Sequence, residues 1–286
     1  MSKRHPVVAV TGSSGAGTST VKIAFEHMCR REQLVAVFVE GDSFHRYDRI
    51  GMREAVAAAG SGKAPSHFGP EANLLEELEA LFEQYGRTGM GRRRFYVHNE
   101  AEAARYSAQS GTFTAWEDIP DGTDLLIYEG LHGGAVMEGL DLASHVDLLV
   151  GVVPIVNLEW IQKIHRDTNK RGYDATDVTE TILRRMDDYV HYITPQFSRT
   201  DINFQRVPMV DTSNPFIARD IPTLDESMVV IRFRDPTKFD IDFPYLLSMV
   251  HDSFMSRRNT IVVPGGKMGL SMELIINPII KTLVGH

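Results

Sequence analysis

A single cysteine, Cys29, stands in 286 residues. One thiol excludes an intramolecular disulfide, a CxxC redox switch and a thiolate zinc cluster, and its apolar neighbours point to buried filler rather than a reactive nucleophile. Positive charge is also in short supply: 30 lysines and arginines face 38 aspartates and glutamates, for a net charge of −8. Such a surface has no general affinity for nucleic acid or for an anionic membrane, so an anionic ligand has to be caught by a local site. No apolar run reaches the ~18 to 20 residues of a membrane span, and MSKRHPVVAVTG enters a strand pattern without the apolar stretch of a signal peptide. A cytoplasmic protein is the expectation. The eleven histidines show no H-x-x-x-H spacing, so no structural metal is assigned. Internal repeats and a convincing linker are lacking too, and residues 1–286 are expected to form one α/β domain.

What is present is an alternation of short apolar runs with amphipathic stretches. Pro6–Thr11 reads as a strand closed by Gly12, followed by a helix over Thr18–Arg31. Val35–Val39 is a second buried strand. The Gly-, Ala- and Ser-rich stretch Gly51–Pro70 reads as an inserted, mobile segment before a helix at Glu71–Tyr85. Further strands are expected at Arg93–His98, Leu125–Tyr128, Val146–Val153, Phe204–Val210 and Met228–Phe233. Helices are expected at Leu158–Arg171, Val178–Ile193, Phe243–Phe254 and Met268–Leu283, with Ile182, Met186, Val190 and Ile193 as core. Strands that end in glycine or an acid and alternate with helices favour a mostly parallel sheet flanked by helices, with ligands gathered at the strands' C-terminal ends.

Gly12-Ser13-Ser14-Gly15-Ala16-Gly17-Thr18-Ser19, continuing into Thr20, fits the P-loop pattern at every position but one. Its glycines let backbone N–H groups face phosphate oxygens, the next helix offers its positive end, and Ser19 is placed to offer a hydroxyl to Mg²⁺. Thr18 stands where the lysine belongs, so either another cation substitutes or the site is dead. Asp42 follows the second strand, where a carboxylate can take a proton from a hydroxyl attacking the γ-phosphate, with His45, Arg46 and Arg49 near it as anion holders. Glu129 ends the strand of Asp124–Leu131, the position of a magnesium-holding carboxylate. Along Leu158–Arg171, the cations Lys163, Arg166, Lys170 and Arg171 share a helix face with Asp167. That stripe reads either as a solvated face or as a lid that supplies the missing charge. Arg92–His98 is basic with interleaved aromatics. With the acidic net charge, it reads as a strand lining a phosphosugar site rather than an RNA surface, which brings in Tyr96 and His98.

These residues resemble the bacterial-type phosphoribulokinases, within the wider P-loop family that holds uridine and pantothenate kinases. Arg166-Asp167-x-x-x-Arg171-Gly172 is similar to the lid motif of the whole family. Asp42-x-Phe44-His45-x-x-Asp48-Arg49 and Tyr128-Glu129-Gly130-Leu131-His132 resemble the phosphoribulokinase patterns specifically. The resemblance implies a P-loop NTPase-like fold and phosphoryl transfer from ATP to the 1-hydroxyl of ribulose 5-phosphate for Calvin-cycle carbon fixation. It implies Asp42 as general base, Glu129 as magnesium ligand, His45 and Arg49 on the sugar phosphate, and Arg166, Asp167 and Arg171 near the phosphates; at Thr18 the chain departs from the wider pattern, and our own expectation is that Lys163 or Arg166 stands in for the loop lysine. It also implies activation by NADH and inhibition by AMP in a large homo-oligomer, an octamer or hexamer. Ser13 and Ala16 in the loop exclude the thiol control of the plant-type enzymes. Arg31, Arg232 and Arg234 are candidate effector contacts. Two readings compete: a uridine or pantothenate kinase, disfavoured by the charges between His45 and Arg49, and a nucleotide-binding regulator without activity.

Overall fold

The apolar run Val7–Val10 is wholly buried because its side chains alternate between two apolar layers. A computed structural model describes residues 5–12, 18–60, 62–169, 172–218 and 220–285, with only the backbone described at Thr18, Ser19, Thr20 and Lys22. In chain order the elements begin with β1 (Val7–Gly12), α1 (Thr18–Arg31), β2 (Ala36–Glu40), α2 (Arg49–Ala58) and α3 (Leu75–Thr88). Next come β3 (Arg92–Arg93), α4 (Glu100–Tyr106), β4 (Glu117–Asp118), β5 (Leu125–Gly130), β6 (Val136–Met137), β7 (Leu140–Asp141) and β8 (Leu148–Val153). The chain continues through α5 (Val156–Asn169), α6 (Ala175–Asp188), β9 (Ile202–Pro208) and β10 (Ser227–Phe233). It ends with α7 (Phe243–Met249), β11 (Phe254–Arg257), β12 (Thr260–Pro264) and α8 (Met268–Val284).

The described residues form an eight-stranded sheet in the order β11-β12-β10-β9-β8-β1-β5-β2, flanked by helices. The five strands from β2 to β9 run parallel, and β10, β12 and β11 add antiparallel strands at the far edge. Val8 and Val10 pack with Phe25 and Met28 of α1 and Met272 and Ile276 of α8. Val7 and Ala9 pack on the other face with Leu78, Phe82 and Tyr85 of α3. Both faces of β1 are therefore dry, as a central parallel strand requires. Cys29 lies in the first layer, where burial pushes its thiol up to about 11.

Several elements differ from the sequence expectation. Gly51–Pro70 is no loose insertion: α2 opens it, capped by the Asp48 carboxylate, which accepts from Gly51 N at 2.7 Å. Arg93–His98 contributes only Arg93 to the two-residue β3, and a lone bridge at Tyr96. Asn99 then caps α4 by accepting from Glu102 N. The helix expected to reach Phe254 stops at Met249, because the chain turns at Asp252 with φ +64°. The β11–β12 hairpin follows. The helix expected over Val178–Ile193 is α6 followed by a π-turn at Tyr189–Ile193. That turn leaves Val190 51% exposed while Ile193 is buried.

Buried polar side chains tie the parallel strand ends to the loops that cross them. Gln196 accepts from Thr11 Oγ1 and Gly134 N, both at 3.0 Å, and donates to Leu131 O and Tyr192 O. His132, just after β5, lies 3.0 Å through Nε2 from Phe68 O. A carbonyl only accepts, so this nitrogen carries the proton. Burial lowers the His132 pKa to about 4, with the Phe68 bond acting weakly the other way. A histidine whose folded pKa lies below its unfolded value of ~6.5 leaves stability whole above that pH and withdraws it as the pH falls toward the folded value. Urea unfolding should therefore lose free energy between pH 6.5 and 4.5. His132→Asn should shrink that loss by about 2 to 3 kcal/mol, at ~1.36 kcal/mol per pH unit. An identical pH dependence in the variant would refute the assignment.

Candidate active site

β2 and β5 lie side by side with Glu40 level with Glu129, and Val10 of β1 is level with Glu129 on its other side. The two glutamates line a small recess together with Val21 and Phe25 of α1. Beyond Glu40 the chain folds at once into the tight turn Gly41–Phe44, which places Asp42 over the same strand ends. Ser43 Oγ donates back to Glu40 O, and Phe44 is buried edge-on against Trp116. Arg94 fixes the turn from outside by donating Nε to Ser43 O and Nη2 to His45 O, both at 2.7 Å. Its guanidinium lies 3.8 Å from the Phe113 ring centre and 4.8 Å from that of Trp116, so the aromatics hold the plane of the fork.

Four of the residues expected from the sequence gather here. His45 Nε2 lies 3.6 Å from one Asp42 oxygen and His98 Nε2 lies 4.0 Å from the other. The Tyr96 ring stands edge-on to both imidazoles. Arg49 joins them at the margin, donating Nη2 to His98 O at 3.0 Å. The two histidines differ in charge. Burial, reinforced by His132, His98 and Arg94, pushes His45 down to about 3, so it is neutral at physiological pH. The Glu40 carboxylate, 3.7 Å from Nε2, raises His98 against its own burial, and Asp42 adds to the rise. A carboxylate between a neutral and a more basic imidazole is suited to receive a hydroxyl proton while an anionic group binds beside it. Two other polar residues of this segment serve the fold: Asp48 caps α2, and Arg46 donates to Glu71 O and Asn73 O.

On the nucleotide side Gly12 ends β1. Ser13, Ser14, Gly15, Ala16 and Gly17 lie outside the described residues, and Thr18, Ser19 and Thr20 are described only as backbone of α1. The lid candidates are partly visible. On α5, Lys163 Nζ donates to one Asp167 oxygen at 2.6 Å and Arg166 Nε to the other at 3.0 Å. Burial alone would raise the Asp167 pKa, but these two cations outweigh it and hold the carboxyl below its usual range. Lys163 is lowered by its own burial, which Asp167 offsets in part. The cationic stripe is thus drawn onto its central acid, and Lys170 and Arg171 lie outside the described residues. Of the effector candidates, Arg31 is engaged by Glu273 at 2.9 Å and Arg234 by Asp201 at 2.8 Å.

The sequence reading missed Glu40, Arg94, His67 and Arg185. Glu40 had a usable signal, an acid closing an apolar strand. Arg94 had a weaker one, an arginine among aromatics. His67 and Arg185 had none, since only the packing of loop 62–70 on α6 brings them to this place.

Residues 7–213 match the model of the Phosphoribulokinase / Uridine kinase family. The phosphoribulokinase of Xanthobacter flavus is 63% identical over 286 residues, covering 99% of this chain and 98% of that protein. That of Nitrobacter vulgaris is 58% identical with the same coverage. Among solved structures, the phosphoribulokinase from Rhodobacter spheroides is 56% identical and superposes with a TM-score of 0.89, covering 99% of both chains. Matched in sequence and in fold over nearly its full length, the chain belongs to the phosphoribulokinase / uridine kinase family.

Proposed function

We propose that this chain is an ATP-dependent kinase that phosphorylates the 1-hydroxyl of D-ribulose 5-phosphate, giving ribulose 1,5-bisphosphate and ADP for Calvin-cycle carbon fixation. The observation that carries the reading is the turn Gly41–Phe44, which sets Asp42 between His45 and His98 at the C-terminal end of the parallel strands. Its support is the run of full-length relatives near 60% identity that bear the name phosphoribulokinase. Uridine and pantothenate carry no phosphate, and His98 and Arg49 beside Asp42 suit a phosphorylated acceptor better.

In this reading Asp42 accepts the hydroxyl proton as the oxygen attacks the γ-phosphorus, and the bond to the ADP oxygen breaks in line. His45, Arg49, Tyr96 and His98 bind the sugar phosphate. The loop Gly12–Thr20 holds the triphosphate. Glu129 and Ser19 would hold Mg²⁺, and the pairing of two strand-end carboxylates, Glu129 beside Glu40, fits a hard cation. When bound, the ion neutralises charge on the β- and γ-oxygens. Lys163 or Arg166, released from Asp167 as α5 closes with Arg171, replaces the lysine absent at Thr18. Cytoplasmic placement, NADH activation, AMP inhibition and a large homo-oligomer complete the proposal. None of the described helices is long and apolar enough to cross a membrane.

A coupled ADP-release assay with Mg²⁺ and either ribulose 5-phosphate, uridine or pantothenate tests the substrate. Turnover with ribulose 5-phosphate is expected, and Asp42→Asn should lower kcat by about 10² to 10⁴, the usual worth of a general base. Full activity in Asp42→Asn would remove Asp42 as base while leaving the substrate standing. The same assay on Lys163→Met and Arg166→Met should show at least one large loss of kcat. Wild-type rates in both would mean that neither supplies the missing charge.

A further inference from the structure

Loop 62–70 is clamped onto the C-terminal end of α6 and its π-turn. Lys63 Nζ lies 2.6 Å from Asp188 Oδ1 and 3.5 Å from Asp187 Oδ2, and Phe68 meets Tyr189 edge-on at 5.4 Å. The clamp delivers His67 to the active site, where its ring stacks on His45 at 4.1 Å between centres. His45 in turn lies 3.6 Å from Asp42, so His67 is one ring removed from the proposed base. Arg185 comes from α6 to the same junction. Its charge is felt by His45 and His67 and also by Lys163, while Asp167 acts on it in turn.

Two atoms at this junction are shielded from solvent without a hydrogen-bond partner among the described residues: His67 Nδ1 and Arg185 Nε. Buried polar groups are nearly always paired, and an unpaired guanidinium nitrogen is costly because the charge has no oxygen to answer it. The two come from separate elements packed on one another, His67 from the loop clamped onto α6 and Arg185 from α6 itself one turn before Asp188, and the acids that act on them are Asp42 on His67 and Asp167 on Arg185. His67 is kept neutral, lowered to about 3 by burial and then by His45 and Arg185, while Asp42 opposes the shift. A neutral imidazole can carry its proton on Nδ1 and donate. Its neighbours in this electrostatic set are His45, His132, Arg185 and Asp42.

We propose that His67 Nδ1 and Arg185 Nε form a phosphate-oxygen subsite, occupied when substrate binds. It rests on the kinase reading for the source of the phosphate, which is either the phosphoester of the acceptor or the γ-phosphate of ATP. An arginine Nε beside a second donor matches the geometry of a phosphate edge, and the pairing removes both unsatisfied donors at once.

Steady-state kinetics and calorimetric binding of ribulose 5-phosphate and of ATP on Arg185→Met, Arg185→Lys, His67→Leu and His67→Asn test this. His67→Leu and Arg185→Met should raise one KM about 10-fold or more with the melting temperature near wild type. Arg185→Lys, which keeps a charge but loses Nε, should raise the same KM. His67→Asn, whose amide donates from nearly the position of Nδ1, should stay within about 3-fold of wild type. A rise confined to ribulose 5-phosphate assigns the acceptor's phosphate, and a rise confined to ATP assigns the γ-phosphate. Both KM values within about 2-fold of wild type in His67→Leu and Arg185→Lys overturn the subsite. Wild-type protein that turns over none of the acceptors overturns the kinase reading instead. Inorganic phosphate, titrated into wild type and Arg185→Lys, then still tests the subsite by weaker binding to the variant, and equal binding would overturn it.

Discussion

Where β2 and β5 leave the sheet, their backbones approach more closely than side chains would permit. A Cβ on Gly41 would stand 2.9 Å from Gly130 Cα and 2.6 Å from the Tyr128 hydroxyl. A Cβ on Gly130 would meet Gly41 Cα at 2.7 Å and the same hydroxyl at 2.5 Å. Tyr128 is itself wedged against Phe82 in the apolar layer under α3, so it has nowhere to retreat. This approach keeps Glu40 level with Glu129 and drops Asp42 onto the strand ends one residue later. The strand ends that carry the carboxylates that would serve the metal and the proton are therefore positioned by backbone contact.

The charges around Asp42 follow from that placement. Glu40 is close enough to raise His98, and His45 is buried deeply enough to remain neutral, so the turn presents an acid with two unlike imidazoles. Arg94 supplies the remaining restraint by occupying the carbonyls on either side of Phe44. Further out, α5 holds Lys163 and Arg166 on Asp167, a trio in which each cation has a partner before any phosphate binds. In the proposed mechanism, transferring those cations to a phosphoryl group would exchange one ion pair for another, which would keep the rearrangement low in net cost.

Much of this was legible in the sequence, unevenly and for physical reasons. The strands at Val7–Gly12 and Leu125–Gly130 announced themselves because both faces are buried and the apolar run is continuous. The placement of Asp42 and Glu129 at the strand ends was legible because each closes or closely follows a continuous apolar run. The β11–β12 hairpin was hidden because α7 and Phe254 read as one apolar helix, broken only by the turn at Asp252. The helix in Gly51–Pro70 was masked by glycines and alanines of low contrast, although Asp48 is a recognisable cap. Arg94 depends on bonds to Ser43 and His45, 51 and 49 residues away in sequence, and His67 on stacking against His45, and no local pattern encodes such contacts.

The central claim, that backbone contact between β2 and β5 positions the reacting groups, is tested most directly by kcat for Gly130→Ala measured beside its thermal unfolding. One methyl group in this crowded place costs about 1 to 3 kcal/mol of stability, which leaves a folded protein, whereas a shift of ~1 Å in the reacting groups can cost about 10²-fold in rate. The account predicts a folded variant with kcat lowered about 10- to 100-fold. A folded Gly130→Ala protein with wild-type kcat would contradict it.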